Sequence, residues 1–242
     1  MKLVIISEFF YPYKTGTQKI LTELAEDLVE NGLEIDVLTT DNAYREKKLS
    51  LPKNEVYKGI NIKRIYSTAF DRDNKLGRII NYLTFTFSVF GNLLSKKDYD
   101  KILFVSNPPL VPYIGYLMKK FRKKDYIYLV HDIYPDVAEK LNVISKDGII
   151  YKVMDMINNK IYLNASNIIA LGIDMKKVIC NKGIDENKID IVTNWADSNN
   201  TFEKIVEEDF YNKYNLKDKF NILYTGKVDI KSNNDGEDSS FG

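Results

Sequence analysis

"MKLVIISEFFYPYKTGTQKILTELAEDLVENGLEIDVLTT", residues 1 to 40, decides the class of fold. Lys2 to Ser7 is a continuous apolar run with β-branched residues, too short for a helix and suited to a strand covered on both faces. After the loop FFYPYKTG, Ile20, Leu21, Leu24, Ala25, Leu28 and Val29 recur at helical spacing, and Gly32 stands where a left-handed C-cap belongs. Strand character restarts at once in EIDVLTT. The first forty residues therefore spell strand, helix, strand, a unit that closes through a right-handed crossover.

The alternation continues beyond residue 40. Residues 41 to 60, with the basic cluster REKK and a proline, read as a mobile surface loop or a hairpin, and INIKRIYS as a short strand after it. LGRIINYLTFTFSVFGNLL, residues 76 to 94, is nearly uncharged and approaches the ~20 residues of a membrane span. Asn81, Thr84, Thr86, Ser88 and Gly91 interrupt it, so the readings rank as buried helix, then membrane-docking helix, then transmembrane helix. KILFVSN is a strand that ends in Pro108 and Pro109 and leads to a helix rich in Tyr, Leu and Met; the Tyr and Lys residues of 116 to 128 read as amphipathic packing with tips in water. DYIYLVHD is a strand, GIIYKVMDMINNKIYLNAS a helix, NIIALG a strand, and KIDIVTN closes the series. The expected fold is α/β, a Rossmann-like doubly wound and mainly parallel sheet with helices on both faces.

Composition narrows the function. With Lys+Arg 35 against Asp+Glu 34 in 242 residues, the net charge of +1 provides no global field of the kind that draws nucleic acid. The length suits one large domain, or one domain and part of another. A single cysteine, Cys180, excludes an internal disulfide framework. The N-terminal run passes into charge and proline without a cleavage site, so it reads as a strand rather than a signal peptide, and the expected compartment is the cytoplasm.

In an open parallel sheet, ligands bind outside the carboxyl ends of the strands. The loops there are residues 9 to 16, 39 to 41, 106 to 109, 131 to 136 and 172 to 174. His131, the only histidine, opens the fourth beside Asp132, and two readings stand: direct chemistry, or a structural or solvated imidazole. Gly16 and Thr17 begin the first helix, where free backbone N–H groups and the helix dipole favour an anion; the alternative is a tight turn and a helix cap. Neither GxGxxG after the first strand nor GxxxxGK[ST] is present, which disfavours a Rossmann oxidoreductase and a P-loop NTPase. One histidine and one cysteine cannot make a usual zinc site, and there is no G-x-S-x-G elbow. Asp71 and Asp73 match the letters of an acidic metal pair but sit in the charged loop DRDN, for which solvation is the better reading.

Taken in order, SEFFYPYKTGTQKILTELAEDLVENGLEIDVLTT, SNPPL, HDIYPD and KIDIVTNWAD resemble the N-terminal half of a GT-B glycosyltransferase of family 4, nearest to the type that builds bacterial capsule, O-antigen or exopolysaccharide units. The resemblance runs from Met1 to about Gly226. It implies two facing Rossmann-like domains, the first for the acceptor and the second for a nucleotide sugar, and a retaining transfer without a metal or other cofactor. It further implies His131 and Asp132 at the reacting centre, Gly16 and Thr17 toward the donor diphosphate, and Tyr11, Pro12, Asn107 and Asp136 toward the acceptor. The implied partners are a nucleotide sugar, a lipid-linked glycan acceptor, the inner membrane surface, and a donor domain or partner chain. Thr15 stands where the family often has a second glycine. A flavodoxin-like nucleotide binder would share the sheet without explaining HDIYPD or NWAD.

The resemblance divides the chain into residues 1 to 200, the acceptor-side domain, and residues 201 to 226, a linker and the first strand, FNILYTG, of a donor domain. Residues 227 to 242 form a polar tail without apolar periodicity, expected to be disordered and to stand in place of the rest of that domain. Two functions follow: a sugar transferase truncated before its donor half, or an acceptor-binding module that is inactive alone or completed by a second chain.

Overall fold

The first unit of the chain, Met1–Asn194, alternates strands and helices except at a run of three strands and a pair of consecutive helices. They are β1 (Lys2–Ile6), α1 (Thr17–Glu30), β2 (Glu34–Thr39), β3 (Asn54–Tyr57), β4 (Ile60–Arg64), α2 (Lys75–Ser95), β5 (Lys101–Val105), α3 (Tyr113–Arg122), β6 (Asp125–Val130), α4 (Asp136–Lys140), α5 (Ile149–Asn164), β7 (Asn167–Ala170), α6 (Ile173–Asn181) and β8 (Ile189–Ile191). The structure, a computed structural model, describes residues 1–13, 16–42, 49–71, 74–195, 212–216 and 220. In the second unit, Trp195–Gly242, Asn212 and Lys213 are helical. The expected linker, donor strand and tail otherwise lie outside the described residues, as does Asp73.

The eight strands form one sheet of order β3-β4-β2-β1-β5-β6-β7-β8. Every neighbouring pair is parallel except the β3–β4 hairpin, which turns through Lys58 and Gly59. Both turn residues have positive φ, 48° and 81°, the pattern of a tight two-residue hairpin, so the segment before INIKRIYS is resolved as a hairpin. From β1 the chain first winds outward to β2, then returns through α2 to β5 on the other side. Right-handed crossovers in opposite directions put helices on opposite faces. Strand alternation matches this: Leu3 and Ile5 of β1 join Leu21 and Ala25 of α1 in one core layer, while Val4 and Ile6 join Phe85 and Val89 of α2 in the other. Each of these side chains is at most 4% exposed, a burial worth about 1.5–3 kcal/mol for each large aliphatic.

Helix α1 ends as its sequence predicts, with the Gly32 N–H bonded to the Val29 carbonyl and the Leu33 N–H to that of Leu28. Helix α3 approaches the sheet so closely that a Cβ on Gly115 would stand 2.8 Å from the Tyr126 ring. Tyr126 and Tyr128 are fully buried, and the Tyr126 hydroxyl donates to the Ile161 carbonyl at 2.6 Å. These two tyrosines are core, not surface residues with wet tips, because β6 is covered by α3 and α5.

Helix α2 buries Gly77, Asn81, Phe85, Val89 and Leu93, one every fourth residue. Its N-terminus is capped by Asn74, whose side chain accepts from the Leu76 N–H at 3.0 Å. The buried Asn81 amide makes three hydrogen bonds: its Oδ1 accepts from the Thr68 hydroxyl and the Phe70 N–H, and its Nδ2 donates to the Phe70 carbonyl. Two of the polar residues that break the apolar run, Asn81 and Thr84, thus tie α2 to the segment entering it. Among the described residues no helix is long and apolar enough to cross a membrane.

Candidate active site

The winding reverses between β1 and β5, and at such a reversal the loops leaving neighbouring strands part and open a crevice. A cleft of about 240 Å³ lies there. Ser7, Glu8 and Phe9 line it from the end of β1, and Gly16, Thr17 and Gln18 from the start of α1. The opposite wall is Val105 at the end of β5 and Asn107 beyond it, with His131 and Asp132 after β6. A larger hollow of about 550 Å³ lies on the α2 face of the sheet beside Asp36 and Lys96. Those two groups already pair at 2.7 Å, so the smaller cleft has the better chemistry.

Each wall is held by its own hydrogen bonds. The Glu8 carbonyl accepts from the Thr39 and Thr40 hydroxyls at 3.1 and 2.8 Å, which fixes the start of the first loop against the end of β2. Gly16 precedes α1 at φ 54° and ψ −132°, a conformation that costs a residue with Cβ about 1 kcal/mol or more. It brings no side chain of its own to cap the helix, whose N-terminal dipole favours an anion.

Across the cleft, Ser106 is fully buried and its Oγ accepts two backbone N–H groups, from His131 at 3.0 Å and Asp132 at 2.9 Å. The Ser106 N–H in turn donates to the Leu129 carbonyl at 3.1 Å. One hydroxyl therefore sets the turn that presents both residues. The His131 Nε2 is shielded from solvent and has no hydrogen-bond partner among the described residues. Burial pushes the imidazole pKa below its ordinary 6.5, against the opposing pull of the Asp132 carboxylate. The ring is therefore neutral at pH 7, with one donor and one acceptor nitrogen.

Chemically, the cleft sets the N-terminus of α1, whose dipole suits an anion, opposite an imidazole and a carboxylate. Among the described residues no group of three or more His, Cys, Asp or Glu is arranged to hold a metal ion.

The profile of Glycosyltransferase Family 4 matches residues 14–200, more than half of the chain. The chain belongs to glycosyltransferase family 4. A relative, the probable glycosyltransferase WbjE of Pseudomonas aeruginosa, is 27% identical over 133 residues, covering 52% of this chain and 33% of that protein. The fold is shared with sucrose-phosphate synthase from Thermosynechococcus elongatus, at TM-score 0.60 and 14% identity over 89% of this chain and 52% of that one. It is also shared with WaaG, a glycosyltransferase involved in lipopolysaccharide biosynthesis, at TM-score 0.54 and 11% identity, with the same coverages of 89% and 52%. HepE of Anabaena in complex with UDP-glucose follows at TM-score 0.51 and 16% identity, over 89% and 49%. The chain spans a third of the WbjE length and about half of these enzymes.

In this family 4 chain the cleft gathers Gly16, Thr17, Asn107, His131 and Asp132. Tyr11, Pro12 and Asp136 do not line it. The Tyr11 ring stacks on Tyr57 with centroids 3.7 Å apart, and its carbonyl accepts from Arg64 Nη2 at 3.0 Å, which holds it toward the hairpin. Asp136 pairs with Lys182 at 2.7 Å and accepts from the Tyr151 hydroxyl at 3.0 Å, so it ties α4 to α5 and α6. Ser106 was not singled out by residue type. The available signal was its place at the end of β5, in the loop facing the histidine.

Proposed function

We propose that this chain carries the acceptor-side half of a retaining glycosyltransferase that moves a hexosyl group from a nucleotide sugar to a lipid-linked glycan in bacterial surface-polysaccharide assembly. The transfer takes place on the cytoplasmic side of the membrane and uses no metal or other cofactor. The observation that carries this reading is the cleft at the winding reversal, where the N-terminus of α1 lies across from His131 and Asp132. The bond from the anomeric carbon to the diphosphate breaks, a bond from that carbon to an acceptor oxygen forms, and the acceptor's hydroxyl proton passes to the departing diphosphate oxygen. The first-turn N–H groups and helix dipole offset charge on the leaving diphosphate. The neutral His131 holds a sugar hydroxyl by hydrogen bond, and Asp132 faces the positive charge that develops at the anomeric carbon. HepE in complex with UDP-glucose and WaaG, from lipopolysaccharide biosynthesis, support the donor class and the setting.

A second reading is an acceptor-binding module or one half of a split transferase, since every residue that lines the cleft lies within Met1–Asn194. Transfer of labelled sugar from a panel of nucleotide sugars to a lipid extract separates the two readings. Turnover by these residues joined to a family 4 donor domain supports the transferase, and acceptor binding without turnover supports the module.

A further inference from the structure

Helix α2 reaches beyond the carboxyl edge of the sheet. Ser67 and Thr68, past the end of β4, bond to Asn81 and Thr84, and Ile133 of the loop after β6 packs on the core cluster that holds Phe85. Arg78 lies seven residues before Phe85, so it projects from the same side of the helix, about 10 Å nearer the N-terminus. There that side meets the loop leaving β6 in place of the sheet. Tyr134 of this loop reports the neighbourhood: burial, then Asp132 and Tyr82, raise the pKa of its hydroxyl, and Arg78 opposes them. Asp132 also lines the cleft, so Tyr134 and Arg78 continue the cleft on its α2 side.

Arg78 is half-buried, yet among the described residues its guanidinium makes no hydrogen bond and no ion pair, with Asp132 or any other carboxylate. Arg64, by contrast, pairs with Glu55 at 2.8 Å and donates to the Pro52 and Tyr11 carbonyls. A guanidinium has five donors in a planar fork and no acceptor, and its strongest partner is an oxyanion that takes two of those donors at once. A carboxylate ligand would place both its oxygens on the fork. A phosphoryl group keeps a third oxygen for the Tyr134 hydroxyl, which its raised pKa holds in the donor form.

We propose that Arg78, with Tyr134, holds a phosphoryl group of the acceptor, and that the acceptor is a short sugar chain joined to that phosphate. The length follows from the backbone. Asp132 and Tyr134 are two residues apart, a span of at most about 7 Å, so the phosphoryl group stands about one or two sugar rings from the hydroxyl that reacts beside Asp132. A long glycan would carry its phosphate out of reach of Arg78. The step is thereby an early one, acting on the product of a reaction that joins a first sugar to a phosphate. This deepens the transfer reading and rests on it.

The test is binding of hexose 1-phosphates and of the matching free hexoses to the 242-residue protein, by calorimetry and by NMR of protein with isotope-labelled arginine. The Nε signal that Arg78→Gln removes belongs to Arg78, and it should shift with a hexose 1-phosphate and stay in place with the free hexose. Arg78→Gln should lower the affinity about tenfold or more, while Arg78→Lys, which keeps the charge without the fork, and Tyr134→Phe should lower it partly. The guanidinium makes no bond to the rest of the fold, so unchanged circular dichroism and Tm are expected of both Arg78 variants. Equal binding by wild type and Arg78→Gln overturns the proposal, as does the absence of binding by any hexose 1-phosphate at millimolar concentration. A phosphate that moves the Thr17 amide signal and leaves that of Arg78 in place assigns the anion to the start of α1 and also overturns it. The transfer reading survives each of these results, because turnover by a fusion with a donor domain does not require a charged acceptor.

Discussion

Replacing Ser106 with alanine removes the acceptor of two backbone N–H groups while changing almost nothing in volume. The bonds are 3.0 and 2.9 Å long, and their acceptor is fully buried. A net hydrogen bond contributes about 0.5–1.5 kcal/mol, and a buried donor left unmet costs about 1–3 kcal/mol. His131 and Asp132 are themselves half-buried, so water reaches part of the site and the lower part of that range applies. The expected loss is about 2–3 kcal/mol for the pair, or roughly 4–12 °C in Tm for a domain of this size. Urea denaturation followed by circular dichroism measures the loss. A second readout isolates the site: His131 is the sole histidine, so its imidazole proton resonances are unambiguous, and they should shift in the variant. Ser106→Thr, which keeps the hydroxyl, should restore both more nearly than Ser106→Ala. A loss below about 0.5 kcal/mol with unmoved imidazole resonances would refute the view that Ser106 sets this turn.

Two further outcomes concern pH. The folded pKa of His131 is held below 6.5, so the unfolded chain binds the proton more readily, and stability should fall as pH drops below 6.5 toward the folded value. His131→Gln should flatten that part of the profile, and an NMR titration placing the folded pKa above 6.5 would reverse the sign. Lys182 is desolvated by burial, yet hydrogen bonds to Asp136 and Asp155 outweigh that and raise its pKa above 10.5. Its contribution should be fully present below pH 10.5 and disappear as pH rises through the folded value. Lys182→Met should cost about 1–2 kcal/mol at neutral pH, since the two carboxylates are partly exposed, and the gap from wild type should close at alkaline pH.

What could be read from the sequence was what local periodicity carries. The run Lys2 to Ser7 and the stripe from Ile20 to Val29 predict β1 and α1 because burial on two faces or one leaves a repeat of its own. The hairpin was left open between two readings because Lys58-Gly59 is a weaker turn signal than Asn-Gly. Helix α4 escaped notice, being five residues long and directly after Pro135. In the cleft, strand-end placement brought His131 and Asp132 to the same edge as Gly16 and Thr17 without knowledge of any contact. Tyr11 and Asp136 show where that reasoning stops. The partners that hold them, Arg64 and Tyr57 for one and Lys182 and Tyr151 for the other, come from distant strands and helices and leave no mark on the neighbouring sequence. The same is true of Ser106, whose two donors lie 25 and 26 residues away.

The most direct test of the assignment is sugar transfer measured in three proteins: these 242 residues alone, the same residues joined to a family 4 donor domain at FNILYTG, and that fusion carrying His131→Ala. Positioning and charge stabilisation each contribute several kcal/mol to such reactions, so on the proposed reading, with these residues as the acceptor side, the 242 residues alone should show no turnover and no tight nucleotide-sugar binding by calorimetry. The fusion should turn over, and His131→Ala should lower its kcat by about a hundredfold or more with Tm nearly unchanged. Turnover by the fusion that is indifferent to His131→Ala, or transfer by the 242 residues alone, would contradict the assignment of His131 and Gly16 to one half of a two-domain transfer site.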